Sequence, residues 1–253
     1  MRIDIWKHPE RVIHFPWPRL FSCWLLIDFC ITQAAGQPLV MAKHLTYDII
    51  YDYSVMSPAA VLWTLQPSDF AGRSLTKPKY FKQDRFLPAP RLKNTDFSFT
   101  GFQRGHLCPS GDRDGRRDWF KDTFYTSNIV PMTAECNSGS WKEIESYCRQ
   151  LVVDGHRLRI VAGVEGYHFL AANVIQGHQV YRVGNTKSWP RVPMSLYKIA
   201  VCAIHDGEVW AWLVPNDHMP RREIDCRHDL DSMSAIIKPQ VYNYIVLWIR
   251  QMK

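Results

Sequence analysis

Of the ten histidines, His106 has the neighbours that chemistry could use. In GFQRGHLCPSGDR, Gly101 to Arg113, it follows an Arg-Gly pair and precedes small and polar residues. A neutral imidazole, with an ordinary pKa near ~6.5, takes a proton from water around neutral pH. Further along, Asn137, Trp141, Glu145 and Arg149 recur at every fourth position. On a helix each such step turns about 40°, so the four form one slowly winding stripe. Asn137 and Glu145 then lie roughly 80° apart in azimuth and about 12 Å apart along the axis. They address one site but cannot hold one ion side by side. An amide oxygen and a carboxylate so placed suit a water-rich hard cation such as Mg²⁺, with Mn²⁺ the other candidate. Asn137 is the direct ligand in this reading, and Glu145 holds the metal's waters.

Phosphodiesters are anionic and resist attack, so their hydrolysis needs an activated water, charge neutralisation and help for the leaving oxygen. His106 can supply the base, a hard cation the leaving-group stabilisation, and Arg149 the neutralising charge. Arg104 shares a strand face with His106, which suits it to position phosphate or the neighbouring loop. Arg113 extends a basic track with Arg116 and Arg117, although a solvated charged loop accounts for the last two equally well. Asp112 and Arg113 also read as braces of the hairpin.

Plainer readings stand beside these. Asn137 could simply cap a helix. Ser140 with Glu143 forms a capping-box pattern that would leave Asn137 just before the helix, and Thr133 is the competing cap. Glu145 and Arg149 could be an exposed i,i+4 pair contributing only about 0.3–0.5 kcal/mol. Trp141 reads first as core packing, as does Cys108. The combination around His106 carries the chemical reading; His44, His156, His168, His178, His205, His218 and His228 have no such company.

The positioning elements follow from periodicity. QRGHLCP reads as a strand, Asp114-Gly115 as a turn, and DTFYTSNIVPM as a second strand ended by Pro131. A helix is predicted over Thr133–Val152, with Trp141, Ile144, Tyr147, Cys148 and Leu151 among its apolar positions. Upstream, LTYDIIYDY and AAVLWTL read as strands, and residues 67–100, interrupted by Pro67, Pro78, Pro88 and Pro90, as mostly loop. Downstream, RLRIVAGV, QVYRVG, SLYKIAVCAI and EVWAWLVP return to strands, and the tail from Ser232 reads as helical around Pro239. No repeat or linker divides residues 37–253, which implies one domain.

The chain has 253 residues, 46% of them apolar, and a formal charge of +7, which favours an anionic partner. LFSCWLLIDFCI, Leu20 to Ile31, follows Arg2, Lys7, Arg11 and Arg19 and precedes Ala34-Ala35-Gly36. Residues 1–36 therefore read as a secretory leader, with a buried or interfacial helix as the rival and a secreted or periplasmic protein as the consequence. Asp4, Glu10 and Asp28 argue against a mitochondrial presequence. Twelve helical residues rise about 18 Å against a ~30 Å hydrocarbon core, so no stable membrane span is expected. Seven cysteines without a C-x-x-C or zinc-like spacing leave room for one or two disulfides in an oxidising compartment.

RGHLCPSGDR, TSNIVPMTAEC and NSGSWKEIESYCRQLV resemble the DNA/RNA non-specific endonuclease family, ββα-metal nucleases that include the endonuclease G type. The resemblance is strongest from about Lys77 to Val164. It implies an α+β fold: a hairpin plus helix set on a central antiparallel sheet flanked by helices. It implies cleavage of DNA and RNA to 5′-phosphate and 3′-hydroxyl ends, with His106 as general base and Asn137 as metal ligand. Glu145 and Arg149 match the family's acidic and basic residues on that helix, and Lys77 its upstream basic residue, with Arg73 close by. The first motif position, usually Asp, is Gln103, which keeps hydrogen bonding but loses charge. That change sustains an alternative, a catalytically decayed nucleic-acid-binding module on the same fold; a basic membrane-surface protein is a more distant one. A homodimer and an inhibitor protein are left open.

Overall fold

The computed structural model describes residues 39–250 apart from 73, 99, 168–173, 176–177, 180–189 and 205–207. The expected leader, Arg73 and most of QVYRVG lie outside the described residues. In chain order the elements are β1 (Leu39–Lys43), β2 (Asp48–Asp52), β3 (Ser57–Leu65), β4 (Gln103–His106), α1 (Arg117–Asp122), β5 (Ile129–Met132), α2 (Trp141–Val153), β6 (Leu158–Tyr167), β7 (Val174–Ile175), β8 (His178–Gln179), β9 (Pro193–Cys202), β10 (Val209–Pro215), β11 (Arg227–His228), α3 (Leu230–Ile236) and α4 (Pro239–Arg250). Seven strands form one antiparallel sheet in the order β1-β2-β3-β6-β9-β10-β11. β4 and β5 form a separate antiparallel pair, so the architecture is α+β.

The central strands read as nearly continuous apolar runs because both of their faces are covered. Along β9, Leu196 and Ala200 join the core beneath α2, while Tyr197, Ile199 and Val201 face the opposite core. α2 buries Trp141, Ile144, Cys148, Leu151 and Val152 against the first face, the helical spacing that one apolar stripe requires. On the other face, Met233, Ile237, Val241 and Ile245, four apart across α3 and α4, line the second core. Asp229 starts α3 by accepting the Ser232 backbone N–H at 2.7 Å.

Three local expectations change. Residues 126–128 of the second strand instead form a 3-10 turn, and the strand runs through Pro131 to Met132, paired only with β4. A ring nitrogen without a donor is tolerated there because β5 has no ladder on its other side. After the Asp-Gly turn the chain forms α1, not a continuing hairpin. Finally, Ser140 has helical backbone angles and makes no capping bond. Thr133 Oγ1 accepts the Cys136 N–H at 3.2 Å, so the helical run starts there and Asn137 lies in a π turn, Cys136–Ser140, ahead of α2.

Candidate active site

Every pleat of β4 has a task. Gly105 pairs with Val130, and a Cβ on it would sit 2.2 Å from Met132 Sδ, so only glycine lets the two strands approach this closely. The π turn and α2 are fastened to both ends of the strand. At the start, Gln103 Oε1 accepts Asn137 Nδ2 at 2.7 Å and Ser138 Oγ at 3.1 Å. At the end, Trp141 Nε1 donates to the His106 carbonyl at 3.0 Å. Trp141 is fully buried, so its indole both packs the core and sets where His106 sits.

The His106 ring lies 5.4 Å from Phe81 and 4.9 Å from Phe124, centroid to centroid, and its Nε2 is buried without a partner. Burial, and then the Lys77 ammonium, push the imidazole down to about 3. It is therefore neutral at physiological pH, well below the ordinary value the sequence suggested. Lys77 is exposed on the segment that carries Phe81, whose next residue is held by Lys82 N–H to Phe124 O at 2.9 Å and Thr126 N–H to Lys82 O at 2.8 Å.

Asn137 and Glu145 are both half-buried. With Nδ2 spent on Gln103, the Asn137 amide presents its oxygen as the free end. Burial pushes Glu145 up to about 7; Lys198 is the strongest charge opposing that rise, Asp112 adds to it, and Arg149 and Lys142 pull it down. Arg149 Nη1 bonds Asp112 Oδ1 at 2.8 Å, and Asp112 Oδ2 accepts Trp63 Nε1 at 3.1 Å. A Cβ on Gly111 would come within 3.2 Å of Arg149 Nη1, so this glycine clears the path of the guanidinium. The plainer alternative, an i,i+4 pair of Glu145 with Arg149, gives way to an Arg149–Asp112 pair.

The remaining basic residues divide. Arg104 Nη2 donates to Asn94 O at 3.2 Å and Ser98 Oγ at 3.1 Å, so it braces the loop beside the strand. Arg113, read from the sequence as a substrate contact, is 2% exposed, bonds Thr46 O and Thr64 O at 3.0 and 2.7 Å, and lies 3.3 Å from Asp69. It turns inward to those carbonyls and to Asp69, and it is a brace. Sequence reasoning missed two contributors, Asn128 and Lys198, and the partner of a third, Asp112. Asn128, fully buried, accepts the Cys108 N–H and donates to Cys108 O and Thr123 O, fixing the residues just after His106. Asp112 carries Arg149. Lys198 lies beneath α2, and a lysine in the middle of SLYKIAVCAI was its visible signal.

The family model for DNA/RNA non-specific endonucleases matches residues 31–240. The chain belongs to that family. It is similar to "Nuclease EXOG, mitochondrial" of Danio rerio, 33% identical over 83% of this chain, and of Xenopus laevis, 28% identical over 77%. The chain spans 60% and 57% of the lengths of those two relatives. Among solved structures, the crystal structure of the EndoG/EndoGI complex, titled for the mechanism of EndoG inhibition, shares the fold with a TM-score of 0.64. That likeness covers 78% of this chain and 83% of the other, at 23% identity.

The names of these relatives overturn the secreted or periplasmic expectation, since they are mitochondrial proteins. Basic residues ahead of a short apolar run suit either destination, and three acidic residues among them do not exclude the mitochondrial one. Cys108, Cys136, Cys148, Cys202 and Cys226 are all buried, and among the described residues no disulfide joins them. Among those residues no helix is long and apolar enough to cross a membrane.

Proposed function

We propose that this chain is a sugar-non-specific nuclease that hydrolyses phosphodiester bonds of DNA and RNA, in a mitochondrial setting. The observation that carries the reading is the double fastening of the metal-ligand segment to the histidine strand, Asn137 to Gln103 and Trp141 to the His106 carbonyl. Two groups with separate tasks in one displacement are held to the same four-residue strand.

With Nε2 buried, Nδ1 is the His106 nitrogen left to meet a water; the burial that keeps the ring neutral also weakens it as a base, so proton transfer to it depends on how substrate and cation change its surroundings. Among the described residues no three His, Cys, Asp or Glu side chains cluster as a metal cage. What is present fits a hard divalent ion that keeps most of its waters: one amide oxygen from Asn137, with the Glu145 carboxylate available to those waters. Such an ion, Mg²⁺ in this reading, would supply electrostatic stabilisation of the leaving 3′-oxygen, giving 5′-phosphate and 3′-hydroxyl ends. Arg149, held by Asp112, neutralises charge on the phosphate, and exposed Lys77 adds to the attraction. Contacts of this kind are to phosphate, so selectivity for base sequence is low. Gln103 supplies the acceptor for Asn137, while the charge missing at that position keeps a catalytically decayed binding module as the alternative, which binding without cleavage would favour.

Digestion of plasmid DNA and of RNA by the full chain, with Mg²⁺ and with EDTA, tests the reading. His106→Ala should lose about 10²–10⁴ of the rate while nucleic-acid binding persists; near-normal turnover would refute the base. Asn137→Ala should need much more Mg²⁺ for half-maximal rate, and an unchanged titration would count against ligation.

A further inference from the structure

The stretch KPKYFKQDRF, Lys77 to Phe86, runs beside His106 and shows solvent charge of one sign. It is fastened at its centre. Phe81 N–H donates to Asn94 Oδ1 at 3.2 Å, and Lys82 exchanges backbone bonds with Phe124 and Thr126. The carbonyl of Asn94 accepts from Arg104 of β4, and the Phe81 ring lies 5.4 Å from that of His106. Tyr80 therefore projects from a fixed base, one residue from the ring that packs on His106. The single acid of the stretch, Asp84, is 1% exposed and is taken up by His44 Nε2 at 2.9 Å and by Ser127 Oγ. Lys77, Lys79, Lys82 and Arg85 are all exposed, and among the described residues no carboxylate pairs with any of them within 4.0 Å.

Two aromatic side chains of the stretch are exposed, and they differ. Phe86, 46% exposed, packs against His44 and Tyr125, with centroids 5.0 and 6.0 Å away. Tyr80 is 58% exposed; among the described residues no ring packs on it and no hydrogen bond reaches its hydroxyl. The Lys79 ammonium, 5.3 Å from its ring centroid, is its polar neighbour. An exposed aromatic by itself is ordinary. This one stands among three lysines that no carboxylate neutralises, next to the proposed site. Single strands of nucleic acid bind to such surfaces, phosphates on the ammonium groups and an unstacked base on the ring. A duplex keeps its bases stacked on each other and offers the same ridge its phosphates. We propose that Tyr80 is a stacking platform for one unpaired base, with Lys77, Lys79 and Lys82 on the phosphates beside it. It is a contact that single-stranded DNA or RNA makes and duplex does not. This rests on the nuclease reading and names the form of substrate, but the contact itself needs neither metal nor cleavage.

The test is fluorescence anisotropy of a labelled oligothymidylate and of a labelled hairpin duplex, titrated with the full chain in EDTA so that nothing is cut. Tyr80→Ala should weaken binding of the single strand about 5–150-fold, the weight of one base–aromatic stack, and leave the duplex unchanged. Tyr80→Trp, which keeps a flat ring, should bind as wild type does. Lys79→Ala and Lys82→Ala should weaken both probes, each lowering the slope of log K against log salt by roughly 1. A Tyr80→Ala protein that holds the single strand as wild type does, or loses both probes equally, overturns the proposal. A wild type that binds neither probe overturns it as well. Should Tyr80→Ala not fold, Tyr80→Ser takes its place under the same criterion. A wild type that binds the single strand and does not cut it with Mg²⁺ ends the nuclease reading, while the Tyr80 comparison still decides the platform.

Discussion

Replacing Gly105 with alanine adds one methyl group immediately before His106, and the structure says what that methyl meets. Its Cβ would lie 2.2 Å from Sδ, 2.5 Å from Cγ and 2.6 Å from Cε of Met132. Comfortable contacts are about 3.5–4.0 Å, so the overlap is about 1 Å or more at Sδ and Cγ and nearly as large at Cε. A thioether is flexible, but Met132 is completely buried and has no solvent to swing into. Overpacking of this kind costs about 1–3 kcal/mol. At roughly 2–4 °C per kcal/mol for a chain of this size, Tm should fall by about 2–12 °C in calorimetry. The strand should yield as well, and displacing His106 by about 1 Å should lower kcat on the order of 10²-fold. Met132→Ala alone should cost about 2–5 kcal/mol through the cavity it leaves. In the double variant the new methyl occupies part of that volume, so the combined loss should be clearly smaller than the sum. A Gly105→Ala protein with wild-type Tm, or strictly additive losses, would refute the packing argument.

Two pH predictions have opposite signs. Burial pushes Glu145 up to about 7, so a rate that needs its anion should climb as pH rises through that value, and Glu145→Gln should abolish this limb. An acid limb near the ordinary carboxylate range would exclude the assignment. The same raised value means that the ionised carboxylate opposes folding, and stability contributed by the neutral form is lost as pH rises toward 7. His44 is enclosed between Asp84, at 2.9 Å, and Asp122, at 3.6 Å. Burial pulls its imidazole down, but the bonds to Asp122 and Asp84 outweigh it and the net shift is upward. Its stabilisation is complete below the unfolded value near ~6.5 and disappears as pH passes the raised folded value. Urea unfolding should therefore show the advantage of wild type over His44→Leu shrinking between mildly acidic and alkaline pH; a constant difference would disprove it.

How much was legible beforehand differs between the strands and the site. The apolar runs of β3, β6, β9 and β10 announced buried strands, and the four-residue spacing of Asn137, Trp141, Glu145 and Arg149 put them on one stripe. The helix start was ambiguous because Thr133 and Ser140 are both competent caps. Only the positions of Cys136 and the Gln103 strand show that Thr133 is used and that Asn137 belongs to a π turn. Likewise, Arg113 and Arg149 are chemically alike in the sequence, yet one turns inward to the Thr46 and Thr64 carbonyls and the other reaches toward the site.

What the amino-acid order determined by itself is local: residue chemistry, the period of burial, and the face on which a side chain emerges from its own element. Protonation state and partnership came from tertiary structure. Asp112 meets Trp63 across 49 positions and Arg149 across 37, and Lys198 reaches the indoles of Trp63 and Trp141 from another element. Phe81 and Phe124 pack against His106, and its burial, with the Lys77 charge, pushes the imidazole down. Desolvation and Coulomb interaction act through space, so no spacing along the chain can encode them until the elements have packed.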